Sequence, residues 1–364
     1  MKILFDGRWI RMDAPNDGIG RYSSGLAYEL AEHPNVDLTL LIYDKRQLSS
    51  LPDVPYILTN NPTNLWREFL IARVLKPHNF DIVYSPFFIM GSFHRSYRLI
   101  LTIHDLIYFT HKTPPQWLPW YVRVAWRLFH VSYVPLCKLL NTADAVATVS
   151  ETARQELLAH RVTTRPIYTV LNAVSQDFVA RASDNHAASN HIVYMGAFTP
   201  YKNVECLIEA LTELPDIYLD LCSKIPAKRR RELQNFIVDK DVLDRVIIHD
   251  GVSDEEYREL LRDARCLATA SRLEGFGLPI IEAQQAGVPV VCSDIPIFHE
   301  VGQGSVLFFS PDQPEQAAKQ IAALADADTS RDLIQRGYEN VARYSWKESA
   351  AAAAKLCRSV LKTK

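Results

Sequence analysis

Strand-like apolar runs alternate with helix-like amphipathic runs along nearly the whole chain, stop once, and then start again. Such alternation dictates parallel α/β layers, because parallel strands need a crossover long enough to hold a helix. In the first half the pattern predicts strands at Lys2–Phe5, Leu38–Tyr43, Ile82–Tyr84, Leu99–Ile103 and Ala145–Val149, with helices such as Arg21–Glu32 and Trp66–Leu75 between them. The polar, aperiodic stretch Arg181–Asn190 reads as an interdomain linker. Beyond it, strands are expected at Ile192–Met195, Ile217–Cys222, Val246–Ile248, Cys266–Thr269 and Val288–Cys292. Helices are expected at Val204–Glu213, Lys228–Asp239, Asp254–Arg262, Pro279–Ala286 and Gln313–Leu324. At 364 residues the chain also exceeds the roughly 250–300 at which a single core stops growing. The expectation is therefore an α/β protein of two Rossmann-like, doubly wound domains, 1–180 and 190–345, facing a deep interdomain cleft.

Charge and cysteine usage narrow the function. A formal net charge of -2 gives no global field for nucleic acid, and no nucleic-acid partner is expected. The six cysteines are scattered without a C-x-x-C pair, which suits a reducing compartment. The N-terminal run Met1–Asp6 is too short for a signal peptide, and no stretch of about 18 uncharged apolar residues exists for a spanning helix. A cytoplasmic protein is expected. Trp117–Leu128, aromatic with interspersed Arg, is compatible with an interfacial helix on the inner membrane face, but an ordinary amphipathic packing helix is the favoured reading. The run Lys228–Arg231 reads as a solvated helix face.

The segment Ser271–Ala283 is the strongest chemical signal. It follows a strand and opens a helix, with Pro279 at the helix start and Gly287 placed to close it. Gly275 and Gly277 permit close backbone approach, and the free amides of a helix start attract anions such as a diphosphate. Glu274 ahead of the helix and Glu282 in its first turn flank that anion site. Carboxylates so placed need other partners, and sugar and ribose hydroxyls are the natural ones.

The string Glu274-Gly275-Phe276-Gly277-Leu278-Pro279 with Glu282 resembles the E-x7-E signature of glycosyltransferase family 4, of the GT-B fold. The runs Ala286–Val291, Pro296…His299-Glu300-Val301, Tyr194–Asn203 and Tyr344-Ser345-Trp346 extend the resemblance over nearly the full chain. It implies that a terminal helix, 346–364, returns to the N-terminal domain. It implies retaining transfer of a hexose, mannosyl or glucosyl, from a nucleoside-diphosphate sugar to a glycan or lipid-linked acceptor, in surface polysaccharide or glycolipid synthesis. No cofactor and no metal are implied.

Residue by residue, the resemblance gives His104, Lys202 and Glu274 catalytic roles. Lys202 would hold the departing diphosphate, Glu274 the donor sugar, and His104 would present that sugar. Gly275, Phe276, Gly277 and Leu278 would line the donor site, with Glu282 on ribose and Asn172 at a family turn. Gly18 and Gly20, in a loop opening a helix, would face donor phosphate, and Arg21 an anionic acceptor. The glycine spacing Gly18, Gly20, Gly25 departs from G-x-G-x-x-G, which disfavours a nicotinamide enzyme. Where the family carries Arg after the loop glycine, this chain has Ala197, leaving Lys224 or Arg272 to compensate. A GT-B sugar-nucleotide epimerase and a weakened sugar-nucleotide-binding protein remain alternatives.

Overall fold

Aliphatic and β-branched residues fill the strands on both faces, as parallel sheets covered by helices require. The computed structural model describes residues 1–14, 17–114, 120–174 and 186–362. The chain packs as two units, Met1–Ala173 with Ser345–Lys364, and Val174–Tyr344.

The first unit holds β1 (Lys2–Asp6), β2 (Asp37–Ile42), β3 (Tyr56–Leu58), β4 (Ile82–Ser85), β5 (Arg98–Thr102), β6 (Ala145–Thr148) and β7 (Ile167–Thr169). They form one parallel sheet in the order β3-β2-β1-β4-β5-β6-β7. The order reverses between β1 and β4, so the loops after these two strands diverge and open a crevice at their carboxyl ends. The terminal helix Trp346–Lys362 packs in this unit against the helix Gly18–Ala31, and Ser349 donates to the carbonyl of Leu171 at 2.7 Å.

The second unit repeats the plan with β8 (His191–Tyr194), β9 (Tyr218–Leu221), β10 (Val246–Ile248), β11 (Cys266–Thr269), β12 (Val290–Ser293) and β13 (Leu307–Phe309). Its parallel order is β10-β9-β8-β11-β12-β13, with the reversal between β8 and β11. Two parallel-sheet, Rossmann-like units result.

The stretch read as a linker is not one throughout. His186–Ala188 forms a turn of 3-10 helix within the second unit, where buried His186 bonds the carbonyl of Ala264 at 2.5 Å through Nδ1 and Ser189 donates to Asp263 O at 2.6 Å. Packing against the end of a helix outweighs its polar composition. Residues 181–185 lie outside the described residues, as do Trp117, Leu118 and Pro119. Among the described residues no helix is long and apolar enough to cross a membrane.

Candidate functional site

In the second unit the loop after β8 carries Lys202 and the loop after β11 carries Glu274, so adjacent strands on either side of the order reversal deliver both. Three contacts fasten the loops to each other. Lys202 Nζ lies 2.5 Å from Glu274 Oε1. The amide of Arg272 donates to Tyr201 O at 2.8 Å. Asn203, held at φ +53°, donates through Nδ2 to Ala270 O at 3.2 Å and Pro311 O at 2.7 Å. Asn tolerates this left-handed conformation better than most residues, which explains its place directly after the lysine.

Glu274 is oriented from below by a buried hydroxyl. Ser271 Oγ donates to Glu274 Oε1 at 2.8 Å, and the Ser271 carbonyl in turn accepts from Ser293 Oγ at 2.5 Å. Both the ammonium and the carboxylate keep a small solvent-exposed portion, so a ligand can reach them.

The helix Leu278–Gln285 begins directly beyond Glu274, with Gly277 as its N-cap at φ +105°. Glycine is required here twice over: a side chain would be strained, and a Cβ would stand 2.8 Å from the Phe298 ring. The amides of Phe276, Gly277 and Leu278 find no acceptor among the described residues. Phe276 is buried edge-on against Tyr344, ring centroids 5.6 Å apart, while Gly275 precedes it in the half-buried turn. Because the helix starts at Leu278, Glu282 is in its second turn, not its first, and is buried. Gly287, at φ +72°, closes the helix.

The two candidate replacements for the missing arginine differ in how they are held. Arg272 is ion-paired with Asp312 at 2.8 Å on the surface, and Lys224 is exposed beside Gly251. Arg229 is not part of a solvated face: half-buried, it donates to Phe198 O at 3.0 Å and pairs with Glu205, bracing the lysine loop. Lys202 is the one cation within the loop 196–203.

In the first unit His104 follows β5, half-buried. Its Nε2 lies 2.8 Å from the carbonyl of Pro86, which can only accept, so Nε2 carries the proton and Nδ1 presents a lone pair. Desolvation pushes its pKa down to about 4, against the opposing pull of the Pro86 bond. The imidazole is therefore neutral at physiological pH, an acceptor for a hydroxyl. Tyr22 stands edge-on to the ring at 5.1 Å, itself buried and hydrogen-bonded to Tyr84 at 2.9 Å. Asp105 accepts the amide of Ile107 at 3.0 Å and caps the next turn.

Gly18, Gly20 and Arg21 lie inside a helix rather than in a loop before it, and the Gly20 amide is spent on the capping carboxylate of Asp17 at 2.8 Å. Gly20 therefore does not offer that amide to a ligand, and at Gly18 open space stands where a Cβ would be. Arg21 bonds back to Asp17 O through its amide and is half-buried. Asn172 is buried with Oδ1 unsatisfied.

Sequence reasoning missed Ser271, Asn203 and Tyr22 as supports. Ser271 stands three residues before Glu274, the spacing of a local side-chain bond, and is the only one of the three with a readable signal.

Known proteins match this arrangement along both units. The model of "Glycosyltransferase Family 4" matches residues 16–178, and that of "Glycosyl transferases group 1" matches residues 176–340. The O-antigen chain mannosyltransferase RfbU of Salmonella typhimurium is 30% identical over 68% of this chain, which spans 65% of that relative. O-antigen chain mannosyltransferase B of Escherichia coli is 27% identical over 95% of this chain and 96% of its own length. Among solved structures, sucrose-phosphate synthase from Thermosynechococcus elongatus superposes over the whole of both chains with a TM-score of 0.79 at 18% identity, a likeness of fold.

Proposed function

Because this chain belongs to glycosyltransferase family 4, with the GT-B fold, we propose that it moves a mannosyl group from a nucleoside-diphosphate mannose to a hydroxyl of a growing surface glycan or lipid-linked saccharide, with retention. The observation that carries this reading is the Lys202 ammonium held against Glu274 beside the open amides of Gly277 and Leu278. Cleavage of a sugar–phosphate bond leaves its electron pair on the diphosphate. An ammonium and fixed N–H dipoles aimed at that charge lower the barrier without reorganising.

In the retaining reading, the acceptor oxygen bonds to the anomeric carbon on the face from which the phosphate departs. Its proton passes to the departing phosphate oxygen. Lys202 and the amides take the diphosphate charge, Glu274 accepts from sugar hydroxyls, and Glu282 serves the ribose. His104, with Nδ1 as acceptor, suits a sugar hydroxyl on its own unit. With an ammonium in the neutralising role, no step calls for a metal or cofactor.

A thermal-shift panel of GDP-, UDP-, ADP- and dTDP-sugars tests the donor, since a ligand stabilises by RT ln(1 + [L]/Kd). Stabilisation by a mannose donor, followed by transfer to a saccharide acceptor with the α-anomer retained, is the expected result. Stabilisation by none of the four, or release of an epimerised sugar without acceptor, overturns the reading.

A further inference from the structure

Two turns of the first unit meet at the carboxyl end of its sheet, one after β1 and one after β4, where the strand order reverses. The first carries Trp9 and the second Phe87, their ring centroids 4.1 Å apart at a tilt of 39°. Phe87 is backed by Phe88 at 4.3 Å, and Phe88 packs on the core. Trp9 and Phe87 are each half-buried, although the neighbours of Trp9 in the chain, Arg8 and Ile10, are buried. One indole is thus kept partly outside between two anchors.

The stronger anchor is ionic. Arg8 forks onto Asp6 at 2.7 and 2.9 Å and reaches Glu68, in the helix Leu65–Leu75, at 2.7 Å. Its Nη2 also lies 3.2 Å from Met90 Sδ, and Glu68 accepts from the Gly91 amide at 3.0 Å. One buried guanidinium therefore ties the turn of Trp9 to the loop of Phe87. Taking an arginine and two carboxylates out of water offsets most of what their pairing returns, so the network contributes geometry more than stability. From the other side His104 Nε2 bonds the carbonyl of Pro86 at 2.8 Å, which sets Phe87 one residue from an imidazole whose Nδ1 presents a lone pair.

Two further observations give this pair of rings its chemistry. The Trp9 Nε1–H is buried and finds no acceptor among the described residues. A buried donor without a partner costs free energy that a ligand oxygen can recover. The next cation along the turn, Arg11, is already matched, by Asp13 at 2.5 Å and Asp17 at 3.7 Å. A ligand suited to this wall brings C–H bonds for the ring faces, hydroxyls for an N–H and an imidazole, and no charge. A neutral pyranose answers that description.

We propose that Trp9 and Phe87 form a stacking platform for an uncharged saccharide ring of the acceptor, and select acceptors by the apolar face of that ring. The polarised C–H bonds on one side of a pyranose meet the electron-rich faces of the aromatics. The inference deepens the proposed transfer by naming the class of acceptor, and rests on that reading only for the acceptor's part in it. Saccharide binding to these rings is measured without any transfer.

The test is saturation-transfer difference NMR of the full chain with the methyl glycosides of mannose, glucose, galactose, N-acetylglucosamine and glucuronic acid, free of any lipid. The expected result is saturation of the C–H protons on one ring face of at least one neutral glycoside, and less of the glucuronide. Trp9→Leu and Phe87→Leu should weaken that binding severalfold to about tenfold, and Trp9→Phe, which keeps a ring, should recover part of it. Sugar-nucleotide thermal shifts should stay at wild-type values in all three variants, which shows them folded and separates failure of the platform from failure of the donor site. Equal glycoside binding by Trp9→Leu, Phe87→Leu and the wild type, a preference for the glucuronide, or no saturation of any neutral glycoside overturns the proposal. Loss of the sugar-nucleotide shift in Trp9→Leu, with glycoside binding kept, overturns it too, assigning the rings to the donor.

Discussion

Lys202 Nζ lies 2.5 Å from Glu274 Oε1, so the cation of the diphosphate site is already neutralised by the acid expected to read the sugar. A diphosphate must therefore draw the ammonium away from the carboxylate, freeing Glu274 for hydroxyls in the same movement.

Removing the carboxylate charge tests that exchange. Glu274→Gln is expected to tighten binding of the free nucleoside diphosphate severalfold while lowering turnover, as measured by titration calorimetry and initial rates. Lys202→Ala should weaken diphosphate binding and cut turnover by about 10²–10³. Weaker diphosphate binding in Glu274→Gln would mean that the pair is not exchanged but retained.

Ser271 donates to the same Oε1 at 2.8 Å and is fully buried, which makes it a positioning residue for Glu274. Ser271→Ala leaves the carboxylate fixed by Lys202 alone, and loss of one such bond typically costs about 0.5–1.5 kcal/mol. The expected outcome is a severalfold rise in donor KM with a small change in Tm, and partial recovery in Ser271→Thr, which keeps the hydroxyl. A Tm loss with KM unchanged would reduce Ser271 to a structural role.

These supports mark the limit of what the sequence tells. The central strands were legible because β1, β4, β5, β8 and β11 are continuous aliphatic runs, buried on both faces. The three-residue edge strands β3, β7 and β13 were not, whereas β10, of the same length and also at an edge, was read from its uninterrupted Val-Ile-Ile. Half-exposed patterns such as Tyr56–Leu58 do not separate from loops by periodicity. Lys202 and Glu274 are 72 residues apart in the chain, and only the pairing of β8 with β11 makes them neighbours. Glu282 was misplaced because the helix start depends on the positive φ of Gly277, and a Pro at the second helical position satisfies the same rule as one at the first. The helix Leu65–Leu75 was read from the pattern but its inward side was not: periodicity shows that a helix has two faces but not which one meets the core, here that of Ile71, Ala72 and Leu75.

His104 gives a pH dependence with a definite sign. Its folded pKa of about 4 lies below the ordinary 6.5, because burial penalises the imidazolium. Above pH 6.5 both folded and unfolded forms are neutral and the group contributes nothing to the pH slope. As pH falls from 6.5 to 4 the unfolded chain takes up a proton that the folded one refuses, so stability drops, by at most about 3 kcal/mol. Below pH 4 the loss levels off. His104→Gln cannot titrate, and the stability gap between it and the wild type should therefore shift by this amount between pH 7 and pH 4 in urea melts. An unchanged gap would place the His104 pKa near its ordinary value.

The last prediction concerns how the terminal helix reports on that histidine. A Cβ on Gly25 would stand 2.3 Å from Trp346 Cε2, inside contact distance, so Gly25→Ala must push the indole away. Trp346 lies against Tyr22 at 6.1 Å, and Tyr22 against His104 at 5.1 Å, so the displacement has a short path to the imidazole. Overpacking of this kind costs about 1–3 kcal/mol. Gly25→Ala should lower Tm, expose residues 345–362 to protease, and raise the His104 pKa toward 6.5 as water reaches the ring. Trp346→Leu in the same chain removes the clash and should recover part of the stability, giving a non-additive double-mutant cycle. Additive losses would show that Gly25 and Trp346 do not press on each other.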